Sequence, residues 1–239
     1  MDISIFHVHT YRCRHASEET ELEYVQKAIE LDATEIIFTD HAPFPENPFN
    51  FRMDMNEFDE YVSVLNELKE RYKNRIRIKV GLEIEYIPTY LDYYKWLKDR
   101  LDILLLGQHF SLLSNGIYTF EMEDESKEYK ALADGMIEGM KTGLFQAASH
   151  PDQIFRRMKK WNEEMEKIAI DIKECAVENN VTLEQNISNM QGKKRHAYWR
   201  EFWKNMPYGL KTVYGVDAHS VEEMETNVKK QWELMGSKE

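Results

Sequence analysis

Cysteine is nearly absent from this chain: among 239 residues there are only Cys13 and Cys175, far apart in sequence. That excludes a disulfide framework or a Cys-rich zinc module, and it makes a reducing cytoplasm the simplest expected setting. Long apolar runs are missing too. The longest purely aliphatic stretch is Ile103–Leu106, far short of the roughly 20 residues that a membrane-spanning helix needs. Met1–Thr10 carries neither the basic nor the apolar part of a secretion signal. We therefore expect a soluble protein with no membrane partner. Positive charge is also in deficit, with 31 Lys and Arg against 43 Asp and Glu and a formal net charge of −12. A protein whose main partner is nucleic acid needs clustered cations, so that class is disfavoured. A small anionic substrate remains open if bound cations reverse the local field. No glycine-rich GxGxxG or GxxxxGK[ST] loop follows any candidate strand, which leaves dinucleotide-binding and P-loop readings without support.

What is present is alternation. The composition, 42% hydrophobic and 12% aromatic, is that of a globular chain able to bury a large core. Short apolar runs predict strands at Ile3–His9, Glu35–Thr39, Ile76–Ile84, Asp102–Gly107, Leu144–Ser149, Val181–Asn186 and Thr212–Val216. Helical periodicity lies between them. Ser17 is a candidate N-cap for a helix with Leu22, Val25, Ala28 and Ile29 on one face. Further helices are predicted near Met55–Tyr72, Tyr90–Arg100, Lys127–Thr142, Trp161–Asn179 and Val221–Met235. This pattern implies an α/β protein with a mostly parallel sheet. A closed or nearly closed barrel in one domain over residues 1–239 suits seven units, with an open doubly wound sheet as the alternative.

Metal-competent side chains cluster at the predicted strand ends. His7 and His9 end the first strand, with His15 in the following loop; Asp40 and His41 end the second and Glu83 the third. His109 ends the fourth, His150 the fifth, Asn186 the sixth, and Asp217 with His219 the seventh. In parallel α/β folds that edge is where active sites are built. A lone histidine there is more often a structural residue than a ligand. Yet seven of the eight histidines occupy such positions, beside Glu83 and Asp217, and independent structural needs explain that poorly. Imidazole suits zinc, iron and manganese, and a carboxylate can bridge two cations, so nine donors point to two or three divalent ions. His196 reads as a surface or loop residue, and Cys13 as a reduced bystander. Arg156, Arg157 and Arg195, a few residues past strand ends, could clamp a phosphate through the guanidinium fork. Solvated surface charge is the alternative for each.

The segments FHVHT, CRHA, FTDHAP, GLEIEY, GQHF, SHPD and GVDAHS resemble, in order and across nearly the whole chain, the ligand motifs of the PHP (polymerase and histidinol phosphatase) superfamily. CRHA soon after HVHT is most similar to the histidinol-phosphate phosphatase branch. The resemblance implies a distorted (β/α)7 barrel with a trinuclear metal site at the C-terminal strand ends. It assigns a first metal to His7, His9, Glu83 and Asp217, and a second, bridged by Glu83, to His109 and His150. A third falls to His15, His41 and His219. One position departs from the pattern: Ile5 stands where many members carry an acidic residue. The implied reaction is hydrolysis of a small phosphomonoester, histidinol phosphate above all, by a hydroxide bridging two metals. Glu83, Asp217 and His219 would be the catalytic groups, and the setting would be histidine biosynthesis. A nucleotide or phosphodiester substrate, or a non-catalytic metal-binding module, are the competing readings.

Overall fold

The structure is a computed structural model that describes residues 3–47, 49–113, 115–191 and 197–236; Arg195 and His196 lie outside them. Its elements run β1 (Ser4–Val8), α1 (Glu21–Glu30), β2 (Glu35–His41), α2 (Phe58–Tyr72), β3 (Arg77–Ile84), α3 (Leu91–Lys98) and β4 (Ile103–Leu106). They continue through β5 (Ser111–Leu112), β6 (Tyr118–Thr119), α4 (Glu125–Lys141), β7 (Ala147–Ala148), α5 (Glu163–Glu178), β8 (Thr182–Asn186), α6 (Ile187–Gln191), β9 (Thr212–Ala218) and α7 (Val221–Gly236). Seven parallel strands close a barrel in the order β1-β2-β3-β4-β7-β8-β9. This settles the choice against the open doubly wound sheet. By internal contacts the chain forms two compact units, Met1–Glu83 with Arg100–Ile103 and Tyr214–Glu239, and Ile84–Asp99 with Leu104–Val213.

In the first unit β2 and β3 pair without interruption from Glu35↔Arg77 to His41↔Glu83. That register seats two candidate donors side by side at the C-terminal end. Ile36, Ile37 and Phe38 are all buried, the continuous apolar run expected of a strand covered on both faces. Gly81 fits a close approach: a Cβ there would lie 2.3 Å from Ile103 Cγ2 and 2.8 Å from the Ile103 carbonyl oxygen. Helix α1 starts later than Ser17 suggests. Its N-cap is Thr20, whose backbone N–H donates to the Glu23 carboxylate at 2.7 Å. The Thr20-x-x-Glu23 capping box was legible and outcompetes Ser17. The Ser17 N–H donates instead to the His219 carbonyl at 2.8 Å.

In the second unit β4 pairs with β7 at Leu105↔Ala147 and Leu106↔Ala148, and β7 with β8 at Ala147↔Thr182 and Ala148↔Leu183. The strand predicted over Leu144–Ser149 is regular only at Ala147–Ala148. The antiparallel pair β5–β6 was not foreseen, because two-residue strands carry too little periodicity to register. No helix among the described residues is long and apolar enough to cross a membrane.

Candidate metal centre

The first unit gathers seven of the predicted donors. Its geometry departs from a simple strand at His7, where φ is 73° and the pairing of β1 slips between Phe6 and Val8 against both β2 and β9. A bulge here interrupts the strand's period of two, so simple alternation does not set where the His7 and His9 side chains point. The two rings converge all the same, with His9 Nε2 2.9 Å from His7 Nε2. Asp217, on the neighbouring β9, also has a left-handed backbone, with φ 44°. Such conformations are costly for residues with a Cβ and cluster where function requires them.

Around this pair, His7 Nε2 lies 3.4 Å from Glu83 Oε2 and 3.6 Å from Asp217 Oδ1. His9 Nε2 lies 3.3 Å from Asp217 Oδ1, and His41 Nδ1 3.2 Å from Glu83 Oε2. The His219 ring stacks on His9 with centroids 4.2 Å apart, and His15 is 4.6 Å from His219. His15 Nδ1 faces the Cys13 carbonyl at 2.8 Å, which fixes the tautomer that presents Nε2. Single ligating atoms of His15, His41 and His219 lie within 4.8 Å of one another, as do those of His7, His9 and Asp217, and of His9, His41 and Glu83.

Do these residues fit divalent cations? His219 Nε2 is buried without a hydrogen-bond partner among the described residues, which a ligand nitrogen awaiting an ion would be. Burial alone would lower the His9 pKa, but the Asp217 and Asp40 carboxylates outweigh it and hold it up at about 9. Burial, then the charge on His9, lowers His219 to about 3. Partial burial would raise the Asp217 pKa, yet His7, His9 and His219 hold it well below the usual carboxylate range. Ionised carboxylates that keep an imidazole protonated offer a place where a cation displaces the proton. The donor chemistry fits zinc, iron or manganese.

Ile5 is wholly buried and apolar, so the carboxylate beside His9 comes from β2. Asp40 accepts the Thr10 N–H at 3.1 Å and the Thr10 hydroxyl, and its Oδ1 is 3.8 Å from His9 Nδ1.

The second unit holds His109 and His150 with their Nε2 atoms 3.3 Å apart. Here the sequence reading missed the positioning residues. Buried Glu85 faces His109 Nδ1 at 2.8 Å and accepts the His109 N–H at 2.7 Å. Buried Glu184 accepts the His150 N–H at 2.9 Å and an Asn186 amide N–H at 3.2 Å. The available signal was spacing: Glu85 follows Glu83 by two residues, and Glu184 precedes Asn186 by two. His150 is the third candidate donor with positive φ, at 28°.

Arg156 and Arg157 belong to this unit, and both meet Glu128 of α4. Arg156 Nη2 is 3.1 Å from Glu128 Oε1, donates to the Phe120 carbonyl and lies over the Phe120 ring. Arg157 Nη1 donates to Glu128 Oε2 and to the Met122 carbonyl, each at 2.6 Å. Glu128 is 1% exposed, so this is a buried ion-pair network that ties the chain after His150 to α4. Both guanidinium groups are thus anchored by Glu128 rather than left as solvated surface charge.

Comparison with known proteins agrees with this geometry. The PHP domain family model matches residues 6–188. The chain is 27% identical over 144 residues to a histidinol-phosphatase of Bacillus subtilis, covering 56% of this chain and 54% of that protein. It is 32% identical over 100 residues to a Schizosaccharomyces pombe protein of related name, covering 38% and 32%. The chain thus spans about half or less of the length of these curated relatives. Among solved structures, a Listeria monocytogenes protein superposes with a TM-score of 0.75 at 20% identity, covering 92% of this chain and 97% of that one. Histidinol phosphate phosphatase from Lactococcus lactis, complexed with zinc, L-histidinol and phosphate, gives a TM-score of 0.71 at 19% identity, covering 95% and 92%.

Proposed function

The chain belongs to the PHP domain family, and from that premise we propose that it is a metal-dependent phosphoric monoester hydrolase acting on histidinol phosphate or a similar small phosphomonoester. The observation that carries this is the packing of His7, His9, His15, His41, Glu83, Asp217 and His219 within one compact unit. Two relatives' names point to the same substrate.

In this reading His7, His9, Glu83 and Asp217 hold one divalent ion, His109 and His150 hold another, and His15, His41 and His219 hold a third. When bound, such ions supply a water acidified to near neutrality and positive charge for the phosphoryl oxygens. The chain's own residues bind and orient. Glu83 offsets cation charge, Glu85 and Glu184 fix the approach of His109 and His150, and Asp40 stands behind His9. Asp217 and His219 act first as donors. Arg156, Arg157 and Arg195 are proposed to contact the phosphate, the first two from the network that Glu128 anchors.

The test pairs elemental analysis of tag-free protein with phosphate release from histidinol phosphate, a generic aryl phosphate and a generic diester. Two to three transition-metal equivalents and preferred turnover of histidinol phosphate are expected, with activity lost on chelation. Glu83→Gln should lower kcat by about 10²–10³, the usual cost of one electrostatic contact at a reacting centre. Full monoesterase activity in chelated protein would overturn the reading.

A further inference from the structure

Cys13 is the residue of this centre for which the proposed chemistry has no use. It ends the short turn Tyr11–Cys13 after β1, is completely buried and carries a free thiol. A buried thiol among apolar side chains is ordinary, but this one lies among imidazoles. One ligating atom each from His9, Cys13 and His219 fall within 4.8 Å of one another. Across a tetrahedron built on Zn–N bonds of about 2.0 Å and Zn–S of about 2.3 Å, the edges are about 3.3–3.6 Å. Closing the set therefore takes shifts of under about 1 Å per donor.

Two further observations point the same way. His9 is completely buried, and while its Nε2 faces Asp217 at 3.3 Å, its Nδ1 has no hydrogen-bond partner among the described residues. Asp40, at 3.8 Å, is beyond hydrogen-bond reach of that nitrogen. His219 Nε2 is likewise buried and unpartnered among the described residues.

We propose that Cys13 is a metal ligand: with His9 and His219 it forms a sulfur-containing donor set for a thiophilic divalent cation, zinc or cadmium in preference to manganese. This rests on the metal-centre reading above. His219 also belongs to the His15–His41 group, so the sulfur enters at the third metal position. Binding forms metal–sulfur and metal–nitrogen bonds and releases to solvent the thiol proton together with any proton on the coordinating ring nitrogens of His9 and His219, with no change of oxidation state. Soft thiolate selects against manganese and for zinc-like ions.

Cobalt titration of the chelated full-length protein separates the two readings. Visible ligand-field bands report uptake by any donors, whereas a near-ultraviolet thiolate-to-cobalt charge-transfer band reports sulfur. The charge-transfer band is expected in the wild type and in Cys175→Ser, and lost in Cys13→Ser with the visible bands retained. Cadmium affinity should fall by about tenfold or more in Cys13→Ser, and manganese affinity by less than about threefold. Cadmium NMR of the wild-type protein needs no variant and should show a sulfur-shifted resonance. Visible bands without the charge-transfer band in the wild type would overturn the inference and leave the metal centre standing. A charge-transfer band that persists in Cys13→Ser would overturn it too, and failure to take up cobalt at all would remove both readings.

Discussion

Glu85 turns both carboxylate oxygens to His109, accepting its backbone N–H and facing its ring, and also accepts the Phe110 N–H at 3.3 Å. A ligand held this way keeps its tautomer and orientation, and partners of this kind are worth about 10–100-fold in metal affinity. Glu85→Gln should therefore lose metal on dialysis about 10–100-fold more readily, measured by elemental analysis, with circular dichroism unchanged. Arg156 leads to a different expectation. Its removal leaves buried Glu128 with one arginine, Arg157, beside the Met122 N–H, so Arg156→Ala should destabilise by about 1.5–3 kcal/mol, the range for a hydrogen bond to a charged group. Denaturant unfolding without substrate checks this; a residue that only clamped phosphate would change KM and leave stability alone. The histidine donors were legible in the sequence because histidine is rare and seven of the eight lie at or just after strand ends, and Glu83 and Asp217 were read from their place beside them. Glu85, Glu184 and Glu128 were not, since glutamate is abundant and its role lies in what it faces. The fate of Arg156 and Arg157 was hidden for the same reason: their partner lies on α4, some 28 residues upstream of the nearer arginine.

At the scale of elements, β3 shows how a strand serves the centre it carries. Its path past Ile103 leaves no room for a side chain at Gly81, and the Tyr61 hydroxyl of α2 donates to the Gly81 carbonyl at 2.9 Å. Gly81→Ala should cost about 1–3 kcal/mol through overpacking, read as a lower unfolding midpoint, and should disturb metal retention because Glu83 lies two residues on. Parallel strands with both faces covered announce themselves as apolar runs, which is why β1, β2, β3, β4, β8 and β9 could be placed from the sequence. The bulge at His7 could not. Nothing about Phe6-His7-Val8 distinguishes a regular strand from one that slips register, since the slip is imposed by pairing to β2 and β9.

For the whole molecule, each compact unit is assembled from separated stretches of chain, and β9 runs through Val213–Tyr214, where one unit's residues end and the other's resume. The proposal of a single domain over 1–239 then predicts one cooperative unfolding transition. Trp232 lies in the first unit, whereas Trp96, Trp161, Trp199 and Trp203 lie in the second. A variant keeping only Trp232 should unfold, by fluorescence, at the midpoint given by far-ultraviolet circular dichroism. Separate midpoints would mean two domains. Closure of the barrel was readable from seven repeating units, while the division into two units left no trace in composition. The backbone that sets His9 and Glu83 is fixed by hydrogen bonds of the barrel itself, from His9 N–H to the Ala218 carbonyl and from Ala42 N–H to the Glu83 carbonyl. The bonds that close the barrel at this edge are thus the same bonds that hold the donors' backbone, so whatever loosens the one should loosen the grip of the other.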